Sequence, residues 1–281
     1  MSEARRIDCG SPALLEFRGP DATRFLNGQL TQDVRRLDQE TSALPSCVTD
    51  AKGRLQFRVW LMKSADDALW VSAPGVDAEA LEARLTRYLI ADDVEVTDLS
   101  DKWSLVHFTA DPGAAPAGVI ARDSARFGVA GTDWWIPAGP TVKFPEAFSL
   151  LEGDALEAFR IAHGVPARDR ELYDGLLPPE AGLDTSDISY HKGCYIGQEM
   201  ISRIKHAGKL NKRLIHARVD ASVSMESVLL DAAGKPAGEI TSVSPASSGG
   251  KRDIMAYLKR GASEVHFMSP DGTRHPLEVR A

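Results

Sequence analysis

The chain has 281 residues, 43% apolar and 26% charged, with a formal net charge of -7. This composition excludes a disordered or fibrous chain, and the acidic balance argues against direct, stable binding to nucleic acid or to a membrane surface. The length allows two or three domains with ample core.

The three cysteines, Cys9, Cys47 and Cys194, are far apart and odd in number. No Cys-x-x-Cys spacing occurs, so neither a disulfide framework nor a metal site is readable, and a reducing compartment, the cytoplasm, is expected. The first eight residues carry no apolar stretch behind their charges, so no signal peptide is expected. No apolar run reaches the roughly eighteen residues that a membrane span needs.

Residues 13–18 read as a short strand. Gly19-Pro20-Asp21 then starts a helix, with Pro suited to a first turn and Asp to the helix dipole. Phe25, Leu26 and Leu30 form its apolar side, and Thr31 and Asp33 close it, either as a capped loop or as functional residues. Residues 43–62 predict a hairpin turning at Asp50-Ala51-Lys52-Gly53, with Leu55, Phe57, Val59 and Leu61 alternating after it. Asp66-Asp67 turns into a strand at 68–71. Residues 77–90 predict a helix, because Leu81, Leu85, Tyr88 and Leu89 fit a 3.6-residue period. Strands follow near 94–96 and 105–108. Residues 111–117 break the composition, and short strands are expected at 119–120, 127–129 and 134–136. Of Trp134 and Trp135, one is expected in the core and the other at an edge, with a flat ligand as the alternative.

A helix over 154–163 and a polar loop over 166–179 lead to Lys192-Gly193-Cys194-Tyr195-Ile196-Gly197-Gln198-Glu199. Met200, Ile201 and Ile204 predict a helix running to about His206, with Gly208 as its stop. Cys194 then lies just before that helix or in its first turn. The helix N-terminus and Lys192 both favour thiolate over thiol, which makes Cys194 a candidate reactive thiol. The plain alternative is a small buried hydrophobe. Gln198 and Glu199 suit polar recognition or simply the helix dipole. Arg203, Lys205, Lys209, Lys212 and Arg213 form a basic run. It suits a carboxylate-bearing ligand, Arg203 best because its fork can bind two oxygens, or else a solvated helix end. Residues 212–281 read as short strands separated by glycines, the pattern of a small antiparallel barrel. A cysteine hydrolase would need a His beside the thiol, and His163, His191 and His206 stand in no such context.

The octapeptide 192–199 resembles the signature of the YgfZ family, folate-binding relatives of the glycine cleavage T protein (aminomethyltransferase). Residues 25–34, the turn at 50–54, residues 159–166 and the run 177–184 resemble the family's other segments, in the family's order. The resemblance implies an α+β fold, with a T-protein-like body of two α/β lobes around a central opening and a C-terminal β-barrel. The body would span 1–208, with an internal break near 111–117, and the barrel 209–281. It implies tetrahydrofolate or a one-carbon derivative as ligand, with Arg203, Gln198, Glu199, Tyr195, Asp33 and Arg160 as contacts. It further implies support for iron–sulfur enzymes, some of them tRNA-modifying, with client or assembly proteins as partners. Cys194 would be the essential thiol and Lys192 would keep it ionised.

The chain departs from the wider pattern twice. The T protein family carries a catalytic acid a few residues after the turn matching Gly53, where this chain has Arg54-Leu55-Gln56-Phe57-Arg58. Folate-binding relatives often carry a Glu shortly after the arginine matching Arg160, where this chain has Ala162-His163; His163 or Glu180 are the candidate replacements. The accessory role therefore stands beside two alternatives: a folate-dependent one-carbon transferase, and a protein–protein adaptor with a vestigial pocket.

Overall fold

The computed structural model describes residues 4–64, 66, 68–139, 141–262 and 264–280. The predicted turn residue Asp67 and the first three residues of the segment read for a signal peptide lie outside the described residues. The chain parts into two units. One comprises Met1–Leu151 and Asp184–Ser202, the other Glu152–Leu183 and Arg203–Ala281.

The first unit contains β1 (Arg5–Asp8), β2 (Ala13–Arg18), α1 (Ala22–Gln29), β3 (Leu44–Thr49), β4 (Leu55–Lys63), β5 (Leu69–Ala73), α2 (Ala78–Leu85), β6 (Glu95–Asp98), β7 (Trp103–Phe108), β8 (Ile120–Ser124), β9 (Gly131–Pro137) and β10 (Ser149–Leu150). They form two five-stranded sheets, ordered β3-β4-β5-β2-β6 and β10-β1-β7-β9-β8. The first is antiparallel throughout. Successive side chains on a strand face opposite ways, and both faces of this sheet are covered. Leu15, Val59, Leu61 and Val71 pack with Phe25 and Leu26 of α1 and Leu81 and Leu85 of α2. Their neighbours Leu14, Trp60, Met62 and Trp70 pack with Leu105, Ile120 and Trp135 of the second sheet. Covering on both sides explains the near-continuous apolar runs.

Several predicted elements are corrected here. Residues 127–129 form a turn rather than a strand: Gly128 has φ +77° and its N–H donates to Ala125 O. Trp134 and Trp135 are both fully buried core residues on opposite faces of β9, so neither lines a ligand. The predicted helix over 77–90 is α-helical only to Leu85, continuing as a short 3-10 turn that leaves Tyr88 exposed. The loop at 111–117 joins β7 and β8, two strands of one sheet.

The second unit contains α3 (Gly153–Ala162). Helix α4 (Gln198–Ala207) begins in the first unit and ends in the second. Then come β11 (Lys212–Asp220), β12 (Val228–Leu230), β13 (Gly238–Ser248), β14 (Lys251–Lys259), β15 (His266–Met268), β16 (Arg274–Pro276) and β17 (Glu278–Val279). The expected barrel is not a closed one. The strands form two antiparallel sheets, β13-β14-β11-β17 and β12-β15-β16. The second has strands of only three residues, too short to complete a hydrogen-bonded ring. Closure is made by side chains instead: Ile215, Ala217, Ile254 and Ala256 share one core with Leu229 and Phe267.

Candidate functional site

Three segments that are distant in sequence meet in the first unit: the end of α1 with its loop, the β3–β4 turn, and residues 186–199. The Thr31 hydroxyl donates to Asp187 O (2.6 Å) and accepts from Cys47 N–H (2.8 Å), while Ser189 N–H donates to Thr31 O (3.0 Å). Gln32 Nε2 donates to Ser186 O at 2.8 Å. Lys192 is buried, and its Nζ donates to the carbonyls of Asn27, Leu30 and Gln32, each at 2.7 Å. Beyond the cysteine, Ile196 N–H donates to Gly28 O (3.1 Å) and Thr49 Oγ1 donates to Ile196 O (2.6 Å).

Two glycines complete the join. Gly197 has φ +88°, and a Cβ there would stand 2.5 Å from Asp50 O and 2.8 Å from Gly53 Cα. Only glycine allows both that conformation and that approach. The three resemblance segments at 25–34, 50–54 and 192–199 are therefore one structural feature.

Cys194 is exposed between these anchors, four residues before the start of α4. It precedes the helix rather than joining its first turn. Burial pushes the Lys192 ammonium down to about 7, yet its three carbonyl acceptors call for three N–H donors. Lys192 therefore staples the loop, and its charge is directed at backbone oxygens. Tyr195 is buried with Ile188 and Ile201. Asp33 receives Arg35 Nε and Nη2 at 2.9 and 2.7 Å and also caps the turn after α1. Glu199 is exposed and Gln198 half-buried at the start of α4.

Beneath the loop, Arg58 Nε and Nη2 donate to the Asp187 carboxylate at 2.7 and 3.1 Å. Asp187 is fully buried. The strand that carries no acid in sequence thus meets a carboxylate from elsewhere in the chain, and a guanidinium occupies it. Cys47, opposite Arg58 on β3, is fully buried, and desolvation raises its thiol well above the usual range. Burial likewise pushes Cys9 up to about 12. All three cysteines are free thiols, and Cys194 alone is exposed. Among the described residues, no group of three His, Cys, Asp or Glu side chains is placed to hold a metal ion. No described helix is long and apolar enough to cross a membrane.

Arg160 and Arg203 belong to the second unit. Arg160 is buried, and its guanidinium donates to Glu157, Glu171, Val165 O and Ser242 Oγ. Glu171 is fully buried and also accepts from Ser242 Oγ at 2.7 Å. This network ties α3 to β13. Burial raises Glu180, whose carboxylate accepts from Leu177 N–H, and His163 Nδ1 lies 2.9 Å from Phe159 O. Of the expected folate contacts, Arg160 and Asp33 have their polar groups committed within the protein, and Tyr195 packs in the core.

The sequence reading missed Asp187, Thr49 and the part played by Thr31. Asp187 gives no local signal, because its partner Arg58 lies 129 residues away. Thr31 and Thr49 did give one: each is a polar residue beside apolar core positions, which calls for a specific hydrogen-bond partner.

No protein-family model matches the chain. The tRNA-modifying protein YgfZ of Aliivibrio fischeri (strain ATCC 700601 / ES114) is 30% identical over 220 residues, covering 73% of this chain and 67% of that protein. An iron-sulfur cluster assembly factor IBA57 homolog, mitochondrial, of Phaeosphaeria nodorum is 30% identical over 234 residues. That match covers 74% of this chain but 54% of the relative, so the chain spans about half of that relative's length. The crystal structure of glycine cleavage system aminomethyltransferase T from Bartonella henselae matches with a TM-score of 0.79 over 99% of this chain and 85% of that one. At 16% identity this is a likeness of fold.

Proposed function

The chain belongs to the YgfZ family, and on that footing we propose that it is an accessory protein for iron–sulfur enzymes, including some that modify tRNA, working through the Cys194 thiol. The observation that carries this reading is the presentation of Cys194. One exposed thiol stands on a loop stapled by Lys192 on one side and by Ile196 and Gly197 on the other. A thiol held this way is accessible to a protein or a cluster and loses little entropy on contact. The names of the YgfZ and IBA57 relatives, tRNA modification and iron–sulfur cluster assembly, support the same direction. Partners would be client or assembly proteins. Three unpaired thiols suit a reducing compartment such as the cytoplasm.

A tetrahydrofolate derivative is the small ligand that the family implies. The expected contacts still to be tested are Gln198, Glu199 and Arg203, and no step of the proposed role runs through the ligand. The folate-dependent transferase reading is weakened by the Arg58–Asp187 pair, which occupies the strand where the T protein family carries its acid.

The test is complementation. In a bacterium deleted for its own YgfZ relative, the wild-type chain is expected to restore an iron–sulfur tRNA-modifying activity, read as the modified nucleoside. Cys194→Ala is expected to fail while keeping its denaturation midpoint. Full restoration by Cys194→Ala would overturn the assignment of the thiol.

A further inference from the structure

The surface around the Cys194 loop carries charge that the proposed function has not used. The Asp50 carboxylate accepts from Lys52 N–H and Arg54 N–H, both at 2.8 Å, which fixes the β3–β4 turn. Lys52 and Arg54 project from it, exposed, and their side chains make no hydrogen bond or ion pair among the described residues. Gly53 of the same turn packs against Gly197 and Ile201. The end of α2 is fastened to this turn by Arg84, whose Nη2 donates to Thr49 O at 2.6 Å and whose Nε donates to Gln56 Oε1 at 2.5 Å. The next turn of chain carries Arg87, exposed, with its guanidinium 5.7 Å from the Tyr88 ring centroid. Tyr88 is 48% exposed, and Ile90, at 89%, is the most exposed large apolar residue described.

We propose that the Cys194 loop, the Lys52–Arg54 turn and residues 87–90 form one docking face for an acidic protein partner. The proposal rests on Cys194 being the working thiol and names the kind of molecule that reaches it. Three cations without carboxylate partners stand out on a chain of net charge -7, and their complement is an acidic surface. Tyr and Arg are the residue types that dominate protein–protein hot spots, and an aliphatic side chain held in water gains by entering an apolar pocket on a partner. A nucleic acid would use the cations but offers Ile90 no such pocket. The acids nearby are Asp50, which fixes the turn, Glu199 at the start of α4, and Asp92 and Asp93 after Ile90, of which Asp92 pairs with Arg24.

Thiol–disulfide exchange with charged probes tests this. Two cysteine peptides of equal length, one rich in Glu and Leu and one rich in Lys and Leu, are each activated as a mixed disulfide with thionitrobenzoate. The Cys194 thiolate attacks the peptide sulfur, a protein–peptide disulfide forms, and the thionitrobenzoate thiolate that leaves is counted by its absorbance. At low ionic strength the acidic peptide is expected to react about tenfold faster than the basic one, with the advantage fading as salt is added. The triple variant Lys52→Glu, Arg54→Glu, Arg87→Glu is expected to abolish or invert the ratio while alkylation by neutral iodoacetamide is unchanged. Ile90→Asp is expected to slow the acidic peptide at every salt concentration. Equal rates for the two peptides, with iodoacetamide still alkylating Cys194, would overturn the docking face and leave the thiol assignment standing. Failure of iodoacetamide to alkylate Cys194 would overturn both. Protection of Cys194 by a short RNA, under conditions where excess acidic peptide gives none, would overturn the choice of a protein partner.

Discussion

Arg58 holds Asp187 through two parallel hydrogen bonds, 2.7 and 3.1 Å long, and thereby fastens β4 to the segment that leads into the Cys194 loop. Asp187 is fully buried, so each partner is the other's replacement for water. Removing either one leaves an uncompensated buried charge. We expect Arg58→Met or Asp187→Leu to cost roughly 3–5 kcal/mol each, and the double variant Arg58→Met, Asp187→Leu to cost clearly less than the sum. Urea denaturation of the four proteins checks this, and additive losses would show that the two side chains do not act as a pair.

Lys192 is the second anchor. Its three donors satisfy the carbonyls of Asn27, Leu30 and Gln32, which no methionine could do. Lys192→Met is expected to destabilise the first unit by about 2–4 kcal/mol, since buried carbonyls lose charged donors. Amide exchange across residues 192–197 should rise more than across β5, which lies remote in the sheet. Unchanged exchange would mean that the staple is not what orders the loop.

Gly197 and Gly53 meet where side chains cannot. Gly197→Ala puts a Cβ 2.5 Å from Asp50 O at φ +88° and is expected to cost roughly 2–4 kcal/mol through strain and displacement of the turn. Gly193→Ala, next to Cys194, meets nothing within 4 Å and is expected to be tolerated. Thermal unfolding of the two variants side by side reads the difference.

Acid should loosen both units. Burial alone would raise Asp133, but Arg126 beside it and hydrogen bonds from His107 and Arg126 hold its carboxyl below the ordinary 3.8. Hydrogen bonds from Arg160 do the same for Glu157 against its ordinary 4.5. A carboxylate lowered in the folded state binds fewer protons there than in the unfolded chain. Its contribution is therefore present above the ordinary value and is lost as pH falls through the folded one. The urea midpoint should drop between about pH 5 and about pH 2, with Asp133→Asn less stable at neutrality and approaching the wild type in acid. A gap that stays constant with pH would show that the Asp133 charge does not contribute.

Local patterns made much of the fold legible. Strand β2 falls on the residues read for it, because turn residues bound its apolar run. The β3–β4 hairpin was visible in its alternation and its Gly53 turn. Strands β1 and β10 were not, since they are short and exist only because β1 pairs with β7 on one edge and with β10, over 140 residues on, at the other. Tyr88 fits the period of α2 yet lies outside it, because periodicity carries no information about where tertiary support ends.

The sequence by itself determined the family and the thiol motif, because residues 192–199 keep their spacing and chemistry whatever surrounds them. Tertiary structure alone decided what those residues do to one another. It turned Lys192 from a charge for the thiol into a backbone staple, spent Arg160 and Asp33 on ion pairs, and brought Asp187 to Arg58. The reason is physical: a side chain's donors and charge go to whichever partners burial brings within about 3 Å, and spacing along the chain does not encode those partners.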